Sequence, residues 1–125
     1  ERWAAFQWLF WQVGGVGPNF GQAFHFLHQY PANIAQVSLD YGRDRYLGEV
    51  RRLCRVMDDR LGKARFMAGA EYSIADIATF PWIAIHKWLE IDLVNTPHLR
   101  RWYDVIQSRP AVRRGMDVPS HQQIT

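Results

Sequence analysis

The single cysteine, Cys54, is the first candidate for chemistry, because a thiolate is a strong nucleophile and nearby positive charge lowers the pKa of a thiol. Three arginines lie within three positions of it. Cys54 also lies between Val50 and Met57 on the apolar side of a predicted helix, with those arginines on other sides. We therefore predict a small core residue. A lone cysteine also excludes a disulfide within the chain and a cluster of thiolate metal ligands.

A pair of histidines and a glycine cluster are the next candidates. His25 and His28 lie three apart on one helical face, a geometry that can hold a metal, but the closest acidic residues in sequence are Asp40 and Asp44. We expect histidines that line a cleft or cap a helix, and no metal. The cluster at 14–18 lacks the spacing of a phosphate-binding loop and ends in a proline, so it predicts a kink or short break in a helix.

The segment that begins at Ser73 predicts a helix start. Ser73 is typical of an N-cap, and Asp76 stands three residues later, where its carboxylate can accept a hydrogen bond from the cap's own amide. This capping box explains Asp76 without a catalytic role.

Arg45 is the charged residue that we single out for binding. It falls opposite the apolar stripe of its predicted helix, and a guanidinium suits bidentate capture of a carboxylate. The alternative, a solvated arginine beside Asp44 and Glu49, stays open at this point. We find no defensible set of catalytic residues.

The elements that would position these residues are all helical, because no segment alternates with period two for long enough to form a strand. We predict an all-α bundle of about five or six helices. The helix around Phe80 is apolar almost all round, which predicts a buried central helix. The predicted helices are 2–13, resuming to about residue 30, then 35–61, 74–89 with a bend at Pro81, one capped by Thr96, and 111–116; residues 119–125 are predicted to be a flexible tail.

Length and composition limit the class of protein. With 125 residues, of which 48% are hydrophobic, the chain fits one domain. The net charge of +3 is mild and spread along the chain, so we expect no nucleic-acid binding. The sequence also lacks a run of about 20 apolar residues, so we expect no membrane span and a cytoplasmic protein. The 6 Trp, 7 Phe and 5 Tyr are many for this length, and predict surfaces shared with partners.

Several motifs of the sequence resemble those of one protein family and occur in the same order. The run from Trp8 to Pro18 resembles the opening helix of the C-terminal domain in bacterial Nu-class glutathione transferases, which are disulfide-bond-reductase-like enzymes. The run 72–78 is similar to the capping box found throughout glutathione transferases. Further landmarks are Phe80-Pro81-Trp82, Pro97 with Leu99 and Trp102, and 108–112. The resemblance implies a helical domain over 1–118.

The resemblance also implies what this domain does. Members of the family carry an N-terminal thioredoxin-like domain, absent from this chain, and use glutathione as the nucleophile toward a disulfide or a small electrophile. It implies a homodimer in which Arg45 reaches a glutathione carboxylate across the dimer, and a substrate cleft near Phe20, Gln22 and Trp82. The full-length protein would be a glutathione transferase or disulfide reductase, and this chain alone inactive. The alternative is a non-catalytic interaction module with the same fold.

Overall fold

The computed structural model describes residues 1–119, so residues 120–125, which make up most of the predicted tail, lie outside the described residues. Within the described part every regular element is helical, which confirms the predicted fold class. The α-helices are α1 (Arg2–Trp11), α2 (Gly17–Phe24), α3 (Gln36–Leu61), α4 (Ile74–Ala84), α5 (Pro97–Gln107) and α6 (Pro110–Met116), with π-helical turns at Gln12–Val16 and His25–Gln29 and a 3-10 turn at His86–Leu89.

The glycine cluster forms a π-helical turn, so the short break, one of the two predicted alternatives, does not occur. The chain continues from α1 through the π-helical turn Gln12–Val16 directly into α2. A wider turn accommodates Pro18, which has no N–H to donate to the preceding turn. The side-chain amide of Asn19 donates to the carbonyl of Gly15 at 2.8 Å and so supplies a hydrogen bond inside this turn.

The core forms where α3 packs against α2 and α5. The apolar stripe predicted on α3 is buried, from Leu47 to Leu61, and the inner face predicted for α5 is buried at Leu99, Trp102 and Ile106. Because α3 contacts both α2 and α5, the side of α3 that faces them is buried and its opposite side remains exposed. That outer side carries Arg45.

The apolar helix α4 differs from its prediction in length and in burial. It ends at Ala84 rather than at Leu89, and the buried ring of His86 makes a 2.9 Å hydrogen bond to the carbonyl of Ile83 in its last turn. Ile74 and Ile77 are 48% and 54% exposed. The helix is therefore apolar all round but covered on one side only, because the described chain supplies no further element to cover the other.

The N-terminus of α5 is capped from α3 rather than by Thr96 as predicted. The Thr96 hydroxyl donates to the Leu93 carbonyl instead. A single carboxylate oxygen of Asp58 accepts hydrogen bonds from the backbone N–H groups of His98 and Leu99, at 2.8 and 2.9 Å. Asp58 thus satisfies two free N–H groups and places a negative charge at the positive end of α5.

We expect Asp58→Ala to lower the free energy of unfolding by about 1–2 kcal/mol, the usual range for loss of an N-terminal cap. Asp59→Ala is the matched control, because Asp59 is the exposed neighbour on the same turn. Denaturant unfolding of both variants measures the difference. Equal losses in the two variants would contradict the capping role of Asp58.

Candidate functional site: a free arginine on the outer face of α3

Arg45 lies on the solvent side of α3, as the sequence predicts. Its neighbours on that side include two exposed residues one and two turns earlier, Tyr41 and Val37, with 67% and 76% of their surface exposed. Gly48 follows three residues after Arg45 and has nothing within 4 Å of the place where its Cβ would stand. The surface around Arg45 is therefore open.

The carboxylate of Glu49 is already occupied by another arginine. Arg52 donates to both of its oxygens, at 2.8 and 2.6 Å. This hydrogen bonding lowers the pKa of Glu49, with the charges of Arg52 and Arg45 acting in the same direction. Within residues 1–119 Arg45 itself forms no ion pair. Its guanidinium is therefore available for a carboxylate from outside the described chain.

Two aromatic rings stand behind Arg45. Its guanidinium carbon lies 5.8 Å from the centre of the Tyr46 ring. Tyr46 in turn stacks on Phe26, with ring centres 5.7 Å apart and planes 18° from parallel. The position of Phe26 behind this pair is a contact that sequence reasoning missed, because residues 26 and 46 belong to different helices.

The three residues predicted to line a cleft fall in different environments. Trp82 is half-buried, and its ring lies against the backbone of α2: a Cβ atom on Gly17 would stand 3.5 Å from the ring, and one on Gly21 would stand 4.0 Å from it. Gln22 follows Gly21 in α2 and is exposed. Phe20 is only 1% exposed and belongs to the core, so its ring offers no surface to a cleft in this domain.

Cys54 is a core residue, as predicted. It is 3% exposed, and burial raises the pKa of its thiol to about 12, with the charge of Arg55 acting weakly in the opposite direction. A thiol with that pKa is protonated at neutral pH and is a poor nucleophile. The thiol of Cys54 is therefore a poor candidate for a nucleophile.

Asp76 forms the predicted capping box and does more. Its carboxylate accepts hydrogen bonds from the backbone N–H and the hydroxyl of Ser73, at 2.9 and 3.1 Å. The other oxygen accepts from the backbone N–H of Met67 at 2.9 Å and from the indole N–H of Trp102 at 2.8 Å. Asp76 is fully buried. It ties α4, the preceding loop and α5 together, and its role is structural.

The two histidines of the π-helical turn do not form a metal site in the described residues. Nε2 of His28 lies 2.6 Å from the carbonyl oxygen of Trp88, and its ring packs against Phe24. No group of three or more metal-ligating side chains occurs within residues 1–119. His28 thus connects the end of the first helical run to the turn after α4.

The outward face of α1 carries an apolar stripe. Trp3, Phe6 and Phe10 recur on it at helical spacing, and Val13 of the following π-helical turn continues the stripe. Trp3 and Phe10 are 81% and 70% exposed. The opposite face of α1 packs against α4. Large exposed aromatic residues in one stripe are typical of a surface that meets a partner.

Comparison with known proteins agrees with this architecture. The family model described as "Glutathione S-transferase, C-terminal domain" matches residues 41–110, which is more than half of the chain. The chain therefore belongs to the glutathione S-transferase C-terminal domain family. That range includes Arg45, Asp76 and Trp82.

Among its relatives is the disulfide-bond oxidoreductase YfcG of Escherichia coli, 43% identical over 116 residues, with 93% of this chain and 52% of the relative covered. A glutathione transferase of Burkholderia graminis, described with two glutathione molecules bound per subunit, matches with a TM-score of 0.79 at 35% identity. The match covers 96% of this chain and 51% of the chain of that transferase.

A glutathione transferase of Pseudomonas putida, described with one glutathione disulfide bound per subunit, matches with a TM-score of 0.81 at 36% identity. This match covers 94% of this chain and 52% of the chain of that transferase. The chain thus spans about half the length of the relatives it matches. No helix among the described residues has the length and apolar character needed to cross a membrane.

Proposed function

We propose that this domain is the helical half of a glutathione-dependent disulfide-bond reductase of the glutathione transferase family, in which Arg45 binds a carboxylate of glutathione. The thiolate of glutathione attacks one sulfur of the substrate disulfide and forms a mixed disulfide with it, while the other sulfur leaves as a thiolate. A second glutathione then attacks the glutathione sulfur of the mixed disulfide, so that glutathione disulfide forms and the remaining substrate thiolate leaves. The domain contributes the carboxylate clamp and one wall of the cleft, near Gln22 and Trp82. The finding that the domain's only thiol is buried supports a nucleophile that comes from the co-substrate.

The observation that carries this proposal is that the guanidinium of Arg45 forms no ion pair within residues 1–119. Arg45 stands on an open face of α3, and its acidic neighbour Glu49 pairs with Arg52 instead. The guanidinium carbon of Arg45 lies 5.8 Å from the centre of the Tyr46 ring. A guanidinium forms two parallel, charge-assisted hydrogen bonds to a carboxylate because its fork of N–H donors matches the two oxygens. Glutathione offers two carboxylates, and relatives of this chain are described with glutathione or its disulfide bound.

We further propose that the intact protein has a second, thioredoxin-like domain and forms a homodimer in the cytoplasm. The relatives that match are about twice as long as this chain. The exposed stripe of α1 and the exposed isoleucines of α4 provide apolar surface for both contacts. In this arrangement Arg45 reaches glutathione held by the partner subunit, and the substrate is a disulfide or small electrophile.

The intact protein is expected to reduce a small-molecule disulfide at the expense of glutathione, and the 125-residue chain alone is expected to be inactive in the same assay. The reason is that this domain offers a binding arginine but no reactive thiol of its own. Consumption of glutathione, followed by a coupled glutathione reductase reaction, measures both. An intact protein without glutathione-dependent activity, or an active isolated domain, would contradict the proposal.

The alternative is a non-catalytic interaction module, and the exposed aromatic stripe of α1 is the observation that favours it. The coding sequence upstream of Glu1 separates the two functions. A thioredoxin-like domain there supports the enzyme, whereas a short unrelated leader supports the module.

A further inference from the structure

We propose that Tyr46 is a positioning residue for Arg45, acting with Phe26 as a stacked pair of rings that holds the guanidinium toward its ligand. This inference rests on the proposed binding of glutathione by Arg45 and names a residue that this function does not itself require. Three observations carry it: the contact between Arg45 and Tyr46, the stacking of Tyr46 on Phe26, and the way in which Phe26 is itself fixed.

The first contact is between a cation and the face of a ring. The guanidinium carbon of Arg45 lies 5.8 Å from the centre of the Tyr46 ring, within the range of a cation–π interaction. An exposed arginine samples many rotamers, and binding a ligand requires that this freedom be lost. Because the Tyr46 ring already holds the guanidinium of Arg45 on one side, less rotamer freedom is lost when a ligand binds.

The ring of Tyr46 is not free to turn away. It is half-buried and stacks nearly parallel to Phe26. Phe26 lies so close to α3 that a Cβ atom on Gly42 would overlap its ring, so glycine at this position allows the close approach. The rings are thus packed in the order Gly42, Phe26, Tyr46, with Arg45 outermost.

The backbone of Phe26 is held as well. Its carbonyl lies in the last turn of the π-helical segment before Pro31, where intrahelical donors run out, and it accepts a 3.0 Å hydrogen bond from Nε of Arg43. The guanidinium of Arg43 also lies 5.3 Å from the centre of the Tyr30 ring. Arg43 and Arg45 are two residues apart yet have different tasks: Arg43 fixes the stack and Arg45 faces outward.

The test uses the intact protein and the KM for glutathione. Tyr46→Leu is expected to raise this KM about three- to fivefold while kcat stays near the wild-type value, because an exposed cation–π contact is worth roughly that factor. Tyr46→Phe keeps the ring and is expected to restore the wild-type KM. In the Arg45→Ala background Tyr46→Leu is expected to cause no further change, since a positioning residue acts only through Arg45.

The outcomes separate this inference from the proposed function. If Arg45→Ala leaves the KM unchanged, the binding role of Arg45 is wrong and the inference falls with it. If Arg45→Ala raises the KM but Tyr46→Leu does not, or raises it equally in both backgrounds, only the positioning role is wrong. Should Tyr46→Leu fail to fold, Phe26→Leu removes the ring behind Tyr46 and keeps Tyr46 itself; it is expected to raise the KM about twofold, and an unchanged KM would overturn the positioning role.

Discussion

Asp76→Ala is expected to lower the free energy of unfolding by roughly 3–5 kcal/mol, because it leaves several buried donors without a partner at once. The indole N–H of Trp102 and the backbone N–H of Met67 both donate to one oxygen of this fully buried carboxylate. An unsatisfied buried donor costs about 1–3 kcal/mol. The loss of the cap on α4 adds to that cost. Denaturant unfolding followed by tryptophan fluorescence measures the change.

Two control variants isolate the tertiary contribution of Asp76. Ser73→Ala removes the N-cap hydroxyl alone and is expected to cost about 1 kcal/mol. Asp92→Ala removes an exposed carboxylate that accepts a single local hydrogen bond, from the N–H of Val94, and is expected to cost less. If Asp76→Ala destabilised the chain no more than Ser73→Ala, the carboxylate would be acting as a local cap only.

Arg45→Ala is expected to raise the KM for glutathione of the intact protein at least tenfold, because a charge-assisted hydrogen bond to a carboxylate contributes about 1.5–3 kcal/mol. The kcat is expected to change less, since Arg45 holds the co-substrate and supplies no proton or electron pair. Arg45→Lys is expected to fall between, because an ammonium keeps the charge but cannot form the bidentate pair. Initial rates at varied glutathione concentration measure both constants.

The matched control is Arg51→Ala, which removes an exposed arginine from the same helix six residues further on. Its KM is expected to equal that of the wild type. A rise of equal size in both variants would mean that general positive charge on α3 attracts glutathione, and the specific role of Arg45 would be contradicted.

The helices and the capping box could be predicted from the sequence because their signals are local. The apolar stripe of α3 recurs every three or four residues, and Gly62 follows its last buried residue. Ser73 and Asp76 are three apart and bond each other's backbone in the predicted way. A local signal predicts well where the partners are neighbours in sequence.

Contacts between distant residues could not be predicted in the same way. The cap on α5 comes from Asp58, forty residues before His98, and Trp102 meets Asp76 across two helices. The π-helical turn at Gln12–Val16 depends on how Pro18 and Asn19 are accommodated, whereas the glycines and Pro18 in the sequence indicated a kink or a short break. Each of these features is decided by packing, which overrides local preference.

The candidate site shows the same division. The exposure of Arg45 follows from its place opposite an apolar stripe, so sequence reasoning found it. Glu49 could pair with either Arg45 or Arg52, and only the structure shows that it pairs with Arg52. Phe20 was expected in a cleft from resemblance alone, but its ring is needed in the core.

The most direct test of the central claim, that Arg45 binds a carboxylate of glutathione, is calorimetric titration of the intact protein and its Arg45→Ala variant with glutathione and with derivatives in which one carboxylate or the other is amidated. We predict that one of the two derivatives binds the wild type at least tenfold more weakly than glutathione does, and that this difference disappears in Arg45→Ala. The claim would be contradicted if each derivative lost the same factor in affinity for both proteins.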